Sequence, residues 1–530
     1  MRFCKQRMAE IDIRQYLQSY FHFRQIIFCV LITLVFPSLV YSQATVRNKN
    51  TKKKIEIIHC DSLLQDDKPG SDFRRLLGHV ALKHNDVLMY CDSAYHYPST
   101  KLVRAFSKVH IKQGDTLDLY GNYLFYDGVE EKALVEGHVE LIDKETHLYT
   151  KALKYDVTNK VASYTDSGKI INAKNTLTSI IGIYYASQKM FHFKDNVKIV
   201  NPDYVMTADT MNYNTESETA FFTGPTEVNG DSLNIKCEKG WYDTKKDITW
   251  IWKNAVIDNK LQIIHGDSLF FDNNSGFGQA FRNISIADTA NDVLVTGNYA
   301  WYYKKPENFM VTDKAVFIQV SKNDSLFLHS DTISAVTLID TAGIPFRLMR
   351  AYHKCRIFSA DLQARCDSLS YSYQDSVIRL YYAPVLWSEE NQMTSDSVAI
   401  FTKNRKADIM ELYSSAFIAS QTDTLRFNQI KGRNMKGYFR DNKMYKIRID
   451  GNGETIYFLA DKEGQVGWNR AKSSSIDIYV DKGKITEIIE YQNPDGILNP
   501  PLKEAEKQRL SGFNWFDRLR PKNKMDIFEK

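Results

Sequence analysis

The residues of this sequence with the most chemical potential are acids that recur at one kind of position. Each follows a small residue and precedes Ser or Thr, and the triplets span residues 60–62, 91–93, 208–210, 266–268, 330–332, 366–368 and 395–397. Glycoside hydrolysis requires two carboxylates that flank one bond. That chemistry needs a single special pair, whereas an acid returns here many times along the chain. We therefore interpret the acids as structural corners, where Asp and Ser side chains bond to nearby backbone amides.

Cysteine is the second reactive residue type, and the chain has 7. Four cysteines occupy the small position of a triplet: Cys60, Cys91, Cys366 and, in a degenerate copy at residues 237–239, Cys237. Cys355 stands where other copies of the repeat carry Val. These replacements favour free thiols that act as small buried hydrophobes. A disulfide between Cys60 and Cys91 is the alternative, whereas no CxxC or HxxxH spacing suggests a metal site or a catalytic thiol.

The segments that carry the acids have the pattern of strands. Apolar residues alternate before the acid, as at Val87, Met89 and Cys91, and the parity flips after it, as at Met211 and Tyr213. An alternation of period two is typical of a strand with one buried face. The flip predicts that the chain bends or bulges at each triplet, so that both halves of the strand face one interior.

A second phrase lies between the triplets, and it sets the period of the repeat. Its first copy is Gly78-His79-Val80-Ala81-Leu82, and the position of Val80 returns at residues 109, 139, 170, 197, 226, 255, 284 and 315. Repeats of about 30 residues indicate stacked units that contact only their neighbours. The sequence therefore predicts an all-β stack of about a dozen such units.

Changes in this pattern predict the organisation of the chain. Residues 1–42 form a secretory signal, with an apolar run at residues 26–36 and a cut after Ser42; an uncleaved anchor is the alternative. The period stretches near Ala342-Gly343-Ile344-Pro345, which divides repeats at residues 43–345 from further repeats and C-terminal strands at residues 346–495. Residues 496–530 should form an extended charged tail with one short amphipathic helix. The net charge of only +5 argues against a nucleic-acid partner.

The triplets and the second phrase together resemble a known family. Over residues 52–430 the chain is similar to the OstA-like, or LptA-like, lipopolysaccharide-transport proteins, a family that includes the N-terminal periplasmic domain of LptD. The segment from Gly512 to Pro521 also resembles the end of the long OstA-like proteins of Bacteroidetes-type bacteria. The resemblance implies an open β-jellyroll, or β-taco, whose two sheets hold lipid acyl chains in an apolar groove. It implies neither an enzymatic activity nor a cofactor.

If the resemblance holds, the inward apolar residues of the strands line that groove. The predicted lining consists of Val87, Met89, Val109, Ile111, Val139, Leu141, Val197, Ile199, Met206, Met211, Tyr213, Leu233, Ile235, Leu269 and Phe271. The residues alone fit equally well with a closed core that these side chains simply fill. Sequence reasoning leaves both interpretations open, and the resemblance favours lipid.

The resemblance implies a periplasmic protein that hands lipopolysaccharide or a related lipid towards the outer membrane, either free in the periplasm or associated with that membrane. Its expected partners are other jellyroll proteins, joined by edge-strand pairing, and an outer-membrane barrel. The chain departs from the family because it is longer than a single bridge protein and carries no barrel strands of its own. Two alternatives stand beside this function: a non-catalytic envelope scaffold with a closed core, and a β-helix enzyme that acts on polysaccharide.

Overall fold

The computed structural model describes residues 54–65, 72–115, 117–144, 146–171, 175–231, 233–321, 324–403, 406–440, 443–461, 464–481, 484–501 and 508–528. The predicted signal at residues 1–42 lies outside these ranges. Within them, no helix is long and apolar enough to span a membrane.

The described residues form 36 strands in one antiparallel sheet. The first twelve are β1 Glu56–His59, β2 Ser62–Gln65, β3 Arg74–His84, β4 Val87–Tyr97, β5 Leu102–Gln113, β6 Leu117–Asp127, β7 Lys132–Asp143, β8 Thr146–Asp156, β9 Val161–Tyr164, β10 Gly168–Ile171, β11 Thr176–Ser179 and β12 Ile181–Tyr185. The next twelve are β13 Met190–Val200, β14 Tyr204–Asn214, β15 Thr219–Phe222, β16 Thr226–Gly230, β17 Asn234–Cys237, β18 Lys239–Asp243, β19 Ile248–Asp258, β20 Gln262–Asp272, β21 Phe277–Asp288, β22 Val293–Tyr303, β23 Asn308–Gln319 and β24 Leu326–Ile339. The last twelve are β25 Pro345–Phe358, β26 Gln363–Ser372, β27 Val377–Tyr381, β28 Val385–Ser388, β29 Asn391–Thr394, β30 Ser397–Lys403, β31 Lys406–Gln421, β32 Phe427–Arg440, β33 Lys443–Asp461, β34 Gly464–Asp481, β35 Lys484–Tyr491 and β36 Asp495–Asn499. The all-β fold predicted from the period-two pattern is confirmed.

Each long strand is interrupted near its middle by a β-bulge. Between β3 and β4, Leu77 pairs with Ser93 and Val80 pairs with Cys91, so two residues of β3 lie opposite one residue of β4. The two residues are Gly78 and His79, and both have a positive φ, of 72° and 43°. The predicted parity flip at the triplets is therefore confirmed. The extra residue and the left-handed backbone belong to the neighbouring strand, the one that carries the second phrase.

The bulges divide the sheet into two halves. We call wall A the half-strands equivalent to Val80–His84 and Val87–Cys91, and wall B those equivalent to Arg74–Leu77 and Ser93–Tyr97. Side chains of both walls join one hydrophobic cluster that runs along the stack. The two walls therefore face each other across a shared interior.

The cysteines lie in or beside this interior. Cys91, Cys237, Cys355 and Cys366 are buried, and Cys60 is half-buried. All five have free thiols, so the disulfide between Cys60 and Cys91 that we considered is not formed. Their role as small buried hydrophobes is confirmed for the four buried residues.

The sheet continues across the predicted boundary near residue 345. Strands β24 and β25 pair from Ile339 with Pro345 to Phe327 with Phe358, as a longer hairpin than its neighbours. The division into two sets of repeats stays a prediction. The predicted tail begins in β36, which pairs with β34, and its described part contains two short 3-10 helices, Asp517–Leu519 and Asp526–Phe528.

Candidate functional site

The interior between the walls contains the predicted lining residues. Most of them are buried members of the shared cluster: Val87, Met89, Val109, Ile111, Val139, Leu141, Val197, Ile199, Met206, Met211 and Leu269. Tyr213 and Ile235 are half-buried against the same cluster, and Leu233 and Phe271 are half-buried too. Burial alone fits both a filled core and an apolar groove. Their role as a lipid-binding lining therefore stays a prediction.

The interior is sealed over residues 74–200, which we call the closed stretch. Here even the inner residues furthest from the bulges are buried. Val87 at the start of β4 has no exposed surface, and the polar side chains of His84, Gln113 and Asp143 are at most 5% exposed. A lipid chain has no free space beside such residues, because protein interiors are packed at the density of organic crystals.

Hydrogen bonds between the two walls hold the closed stretch together. The hydroxyl of Tyr126 on wall B lies 2.6 Å from Nδ1 of His84 on wall A. The hydroxyl of Tyr155, also on wall B, donates to Oε1 of Gln113 on wall A. Gln113 donates in turn to the backbone oxygen of Val157, at 3.2 Å. Both pairs are buried, so no water competes for these groups.

A third bond of the same kind involves a charged group. The hydroxyl of Tyr184 donates to Oδ2 of Asp143 at 2.6 Å. Nζ of Lys189 lies 2.7 Å from the same oxygen and 3.0 Å from Oδ1. The carboxylate is almost fully buried, whereas Lys189 is 26% exposed. The lysine therefore supplies the charge partner that a buried carboxylate requires.

These three bonds occupy one repeat position, and we call them the clasps. Tyr126, Tyr155 and Tyr184 are 29 residues apart in sequence. Their partners on wall A precede them by 42, 42 and 41 residues. Burial raises the pKa of each tyrosine, so each hydroxyl keeps its proton and can donate it. The clasps are therefore a regular feature of the closed stretch.

Residues 204–326, which we call the open stretch, differ from the closed stretch in the exposure of their inner side chains. Inner residues next to the bulges are buried, whether small, such as Ala255 and Ala280, or large, such as Ile251 and Leu269. Further out, Met206 and Val295 are buried. Most of the other inner residues there are large, apolar and only half-buried: Val228, Ile235, Ile257, Ile264, Ile286, Phe317 and Leu326 on wall A, and Tyr213, Tyr242, Phe271, Tyr302 and Phe309 on wall B. Large apolar side chains with partial exposure, above this buried row, form an apolar trough.

Two equivalents of the clasp tyrosines in the described part of the open stretch, Tyr242 and Phe271, do not join the walls through a hydroxyl. Tyr242 holds the repeat position of the clasp tyrosines, and Asn201 precedes it by 41 residues. The Tyr242 hydroxyl instead donates to Asp247 of the turn after its own strand, at 2.9 Å. The Asn201 side chain donates to Asn175 at 2.8 Å and accepts from the backbone N–H of Asp203. Phe271, 29 residues after Tyr242, has no hydroxyl at all.

The triplet acids lie outside the interior, at the bulges. Asp92 accepts from the Ser107 hydroxyl of the next strand at 2.6 Å, and Asp267 accepts from the side-chain amide of Asn283 at 3.1 Å. The Ser107 bond holds the pKa of Asp92 below its usual range. Each of these acids thus ties its strand to the bulge of a neighbour through side chains. The prediction that backbone amides are the partners is therefore wrong for Asp92 and Asp267. No group of three potential metal ligands occurs among the described residues.

The C-terminal tail covers a different surface, the outer face of wall A. Gln429 donates to the backbone oxygen of Gln508 at 2.9 Å and accepts from the N–H of Leu510 at 2.8 Å. Gln392 makes the same pair of bonds, to the oxygen of Asn514 and the N–H of Phe516. Each glutamine is buried. Its side-chain amide makes the two hydrogen bonds with the tail backbone that a neighbouring strand would otherwise make.

A second hydrophobic cluster forms beneath this tail. Its members are Phe417, Ala419, Ile456, Phe458, Trp468 and Leu510, with Phe513 and Trp515 packed against them. Further along, Nε of Arg520 donates to Oε1 of Gln363 at 2.8 Å. Sequence reasoning missed this cluster, because it assigned the tail to an extended segment. The aromatic run from Phe513 to Phe516 was the available signal.

Comparisons with known proteins give one family. Residues 52–209, less than a third of the chain, match the OstA-like protein family. A solved structure, LptH, the LptA homologous periplasmic component of the lipopolysaccharide transport device from Pseudomonas aeruginosa, matches at 13% identity over 32% of this chain and 81% of its own. The TM-score of 0.12 shows no common superposition. No curated protein matches the chain. The similarity to the OstA-like proteins is therefore shown for residues 52–209.

Proposed function

We propose that this protein is a non-enzymatic, lipid-binding module of the periplasm that carries lipopolysaccharide or a related lipid towards the outer membrane. One observation carries the proposal: the row of half-exposed apolar side chains inside the open stretch, among them Ile257 and Ile286 on wall A and Phe309 on wall B. The match of residues 52–209 to the OstA-like protein family supports it.

The physical reason is the cost of apolar surface in water. Each square ångström that moves from water into an apolar environment stabilises by roughly 25 cal/mol. The inner side chains of the open stretch belong to nine strands of wall A, from β14 to β24. Strands are about 4.8 Å apart, so this trough is roughly 40 Å long. A trough of that length suits acyl chains better than a compact, polar ligand.

Partners of the same architecture would meet the protein at the ends of its sheet. Among the described strands, β1 and β2 pair only with β3, and β36 pairs only with β34. The exposed side chains there include Ile58, Leu64, Ile497 and Leu498. Unpaired strand edges with apolar side chains accept further strands. We propose that other jellyroll proteins, and through them an outer-membrane barrel, join the chain at these edges.

A photo-crosslinking experiment tests the lipid site with a matched pair of neighbours. Phe271 is on the same face of β20 as the buried Leu269, whereas Phe270 is on the opposite, outer face, where it contacts Trp250. Benzoylphenylalanine at residue 271 should capture lipopolysaccharide in cells, and the same probe at residue 270 should not. Equal capture at both positions, or capture at residue 270 alone, would contradict the proposal.

The clasps favour a second candidate, an envelope scaffold with a closed core. In the closed stretch the interior holds no room for a ligand, since Leu119 and Leu141 have no exposed surface. A scaffold of this kind would use its strand edges alone. Native mass spectrometry of the purified protein separates the two candidates, because only the transport module should carry co-purifying lipid.

A further inference from the structure

We propose that the clasps exclude lipid from the closed stretch and confine lipid binding to the inner face of the open stretch, residues 204–326. This inference rests on the proposed function and adds to it the place of binding and the residues that delimit it. It concerns three residue pairs: Tyr126 with His84, Tyr155 with Gln113, and Tyr184 with Asp143.

The first step is the position of the clasps. Inner residues of wall A lie in rows, and His84, Gln113 and Asp143 are the last inner residues of β3, β5 and β7. The last inner residue is the one furthest from the bulge. We call the side of the interior next to the bulges its floor, and the opposite side, where the walls end, its mouth. A bond from this residue to the opposite wall therefore closes the mouth.

The second step is the burial behind the clasps. Leu82, Ile111 and Leu141 precede the three wall A clasp residues by two positions, and each is at most 1% exposed. In the open stretch the equivalent residues Ile257 and Ile286 are half-buried. Leu82, Ile111 and Leu141 are thus sealed where the clasps close the mouth, whereas the equivalent positions in β19 and β21 are partly exposed.

The third step concerns the hydrogen-bond partners of the residues at the clasp position where the mouth is open. The equivalents of Gln113 and Asp143 are Asn259, directly after β19, and Asp288, the last residue of β21. The side chain of Asn259 accepts from the N–H of Gln262 at 2.7 Å, and Asp288 accepts from the N–H of Asn291 at 3.0 Å. Both are bound to their own turns, and polar groups already satisfied in this way have little to gain from a bond across the mouth.

The type of residue at one repeat position thus divides the inner face into a stretch that excludes lipid and a stretch that can bind it. A lipid chain that enters the closed stretch has to break bonds whose partners are buried and would be left unsatisfied. In the open stretch it only displaces water from apolar side chains. The ligand class that fits the open stretch is an acyl chain, or a set of acyl chains, of an amphipathic lipid.

The test uses two inner leucines of wall A, Leu119 in the closed stretch and Leu326 in the open stretch. A diazirine analogue of leucine is placed at either residue of the full chain, and capture of lipopolysaccharide is measured in cells. We expect capture at residue 326 and at least tenfold less at residue 119. Equal capture at the two residues overturns the inference and leaves the proposed function intact. Capture at neither overturns the proposed function, and the inference with it.

The second arm opens the clasps. Tyr126→Phe, Tyr155→Phe and Tyr184→Phe, combined, remove three hydroxyls and keep the rings. Capture at residue 119 should then rise severalfold, and Tyr242→Phe, which removes a hydroxyl that does not cross the mouth, should leave it unchanged. No rise in the folded triple variant overturns the inference.

A measurement on the unaltered protein covers the case in which the triple variant fails to fold. Hydrogen exchange is followed with and without added lipopolysaccharide. Lipid should slow exchange in peptides from residues 204–326 and leave those from residues 74–200 unchanged. Slowing of the same size in both stretches contradicts the inference.

Discussion

The hydroxyl of Tyr184 lies 2.6 Å from the buried carboxylate of Asp143, although 41 residues separate the two in sequence. One residue belongs to each wall, so the bond joins the walls across the interior. Lys189 neutralises the same carboxylate at 2.7 Å. A buried charge, its counter-ion and a neutral donor thus meet at the mouth of the closed stretch.

Tyr184→Phe should lower the free energy of unfolding by about 1–3 kcal/mol, because a buried hydrogen bond to a charged acceptor is lost. Urea denaturation, followed by circular dichroism, measures the change. Tyr242→Phe is the matched control in the open stretch, where the hydroxyl bonds within its own hairpin. A loss as large in the control as in Tyr184→Phe would show that the clasp contributes nothing specific.

Lys189→Met should destabilise the protein more, by about 3–5 kcal/mol, because it leaves the Asp143 carboxylate buried without a cation. Asp143→Asn in the same chain should recover part of that loss, since the neutral amide needs no counter-ion. The two single variants and the double variant form a cycle that gives the coupling energy. Additive effects would contradict a direct interaction.

The thiols should differ in reactivity. Burial raises the pKa of Cys91 to about 11 and that of Cys237 to about 12, so neither forms thiolate at neutral pH. The neighbouring Cys366 thiol and burial raise the pKa of Cys355 as well. Maleimide labelling of the native protein, mapped by mass spectrometry, should modify Cys60 first among these residues. Labelling of Cys237 at the same rate would contradict the burial described here.

The triplet acids should make the free energy of unfolding decrease at low pH. The Ser107 hydroxyl lowers the pKa of Asp92, and His79 lowers that of Asp61. A carboxyl whose folded pKa lies below its unfolded value contributes stability above about pH 4, and this is lost as the pH falls through the folded value. Asp92→Asn should therefore reduce the slope of unfolding free energy against pH below about pH 4. An unchanged slope would contradict the role of Asp92.

Gln429→Ala should destabilise the outer cluster beneath the tail. The variant leaves the carbonyl of Gln508 and the N–H of Leu510 without their partner, at a cost of about 1–3 kcal/mol for each buried group. Limited proteolysis should then cut the tail sooner than in the unaltered protein. Gln374→Ala, at an exposed glutamine, is the control and should leave the cleavage rate unchanged. Equal cleavage rates in the two variants would show that the tail does not depend on Gln429.

The amino-acid sequence by itself determined the repeat, its strands and the face of each strand that points inward. The reason is local: side chains of a strand alternate between two faces, so Val87, Met89 and Cys91 share one face wherever the strand lies. The flip of parity at the triplets is equally local, because a bulge shifts the alternation by one residue. The predicted inward residues are accordingly buried or half-buried in the structure.

The tertiary structure alone decided which part of the interior is closed. The alternation is the same around Ile111 and Ile257, yet one side chain is sealed and the other half-exposed. The difference comes from partners about 40 residues away, such as Gln113 and Tyr155, and no local pattern reports such a pairing. The tyrosines at 29-residue intervals were visible in the sequence, but their acceptors vary in type, since His, Gln and Asp fill one position. The docking of the tail on the outer glutamines is likewise non-local, and only the folded chain brings Gln429 and Leu510 together.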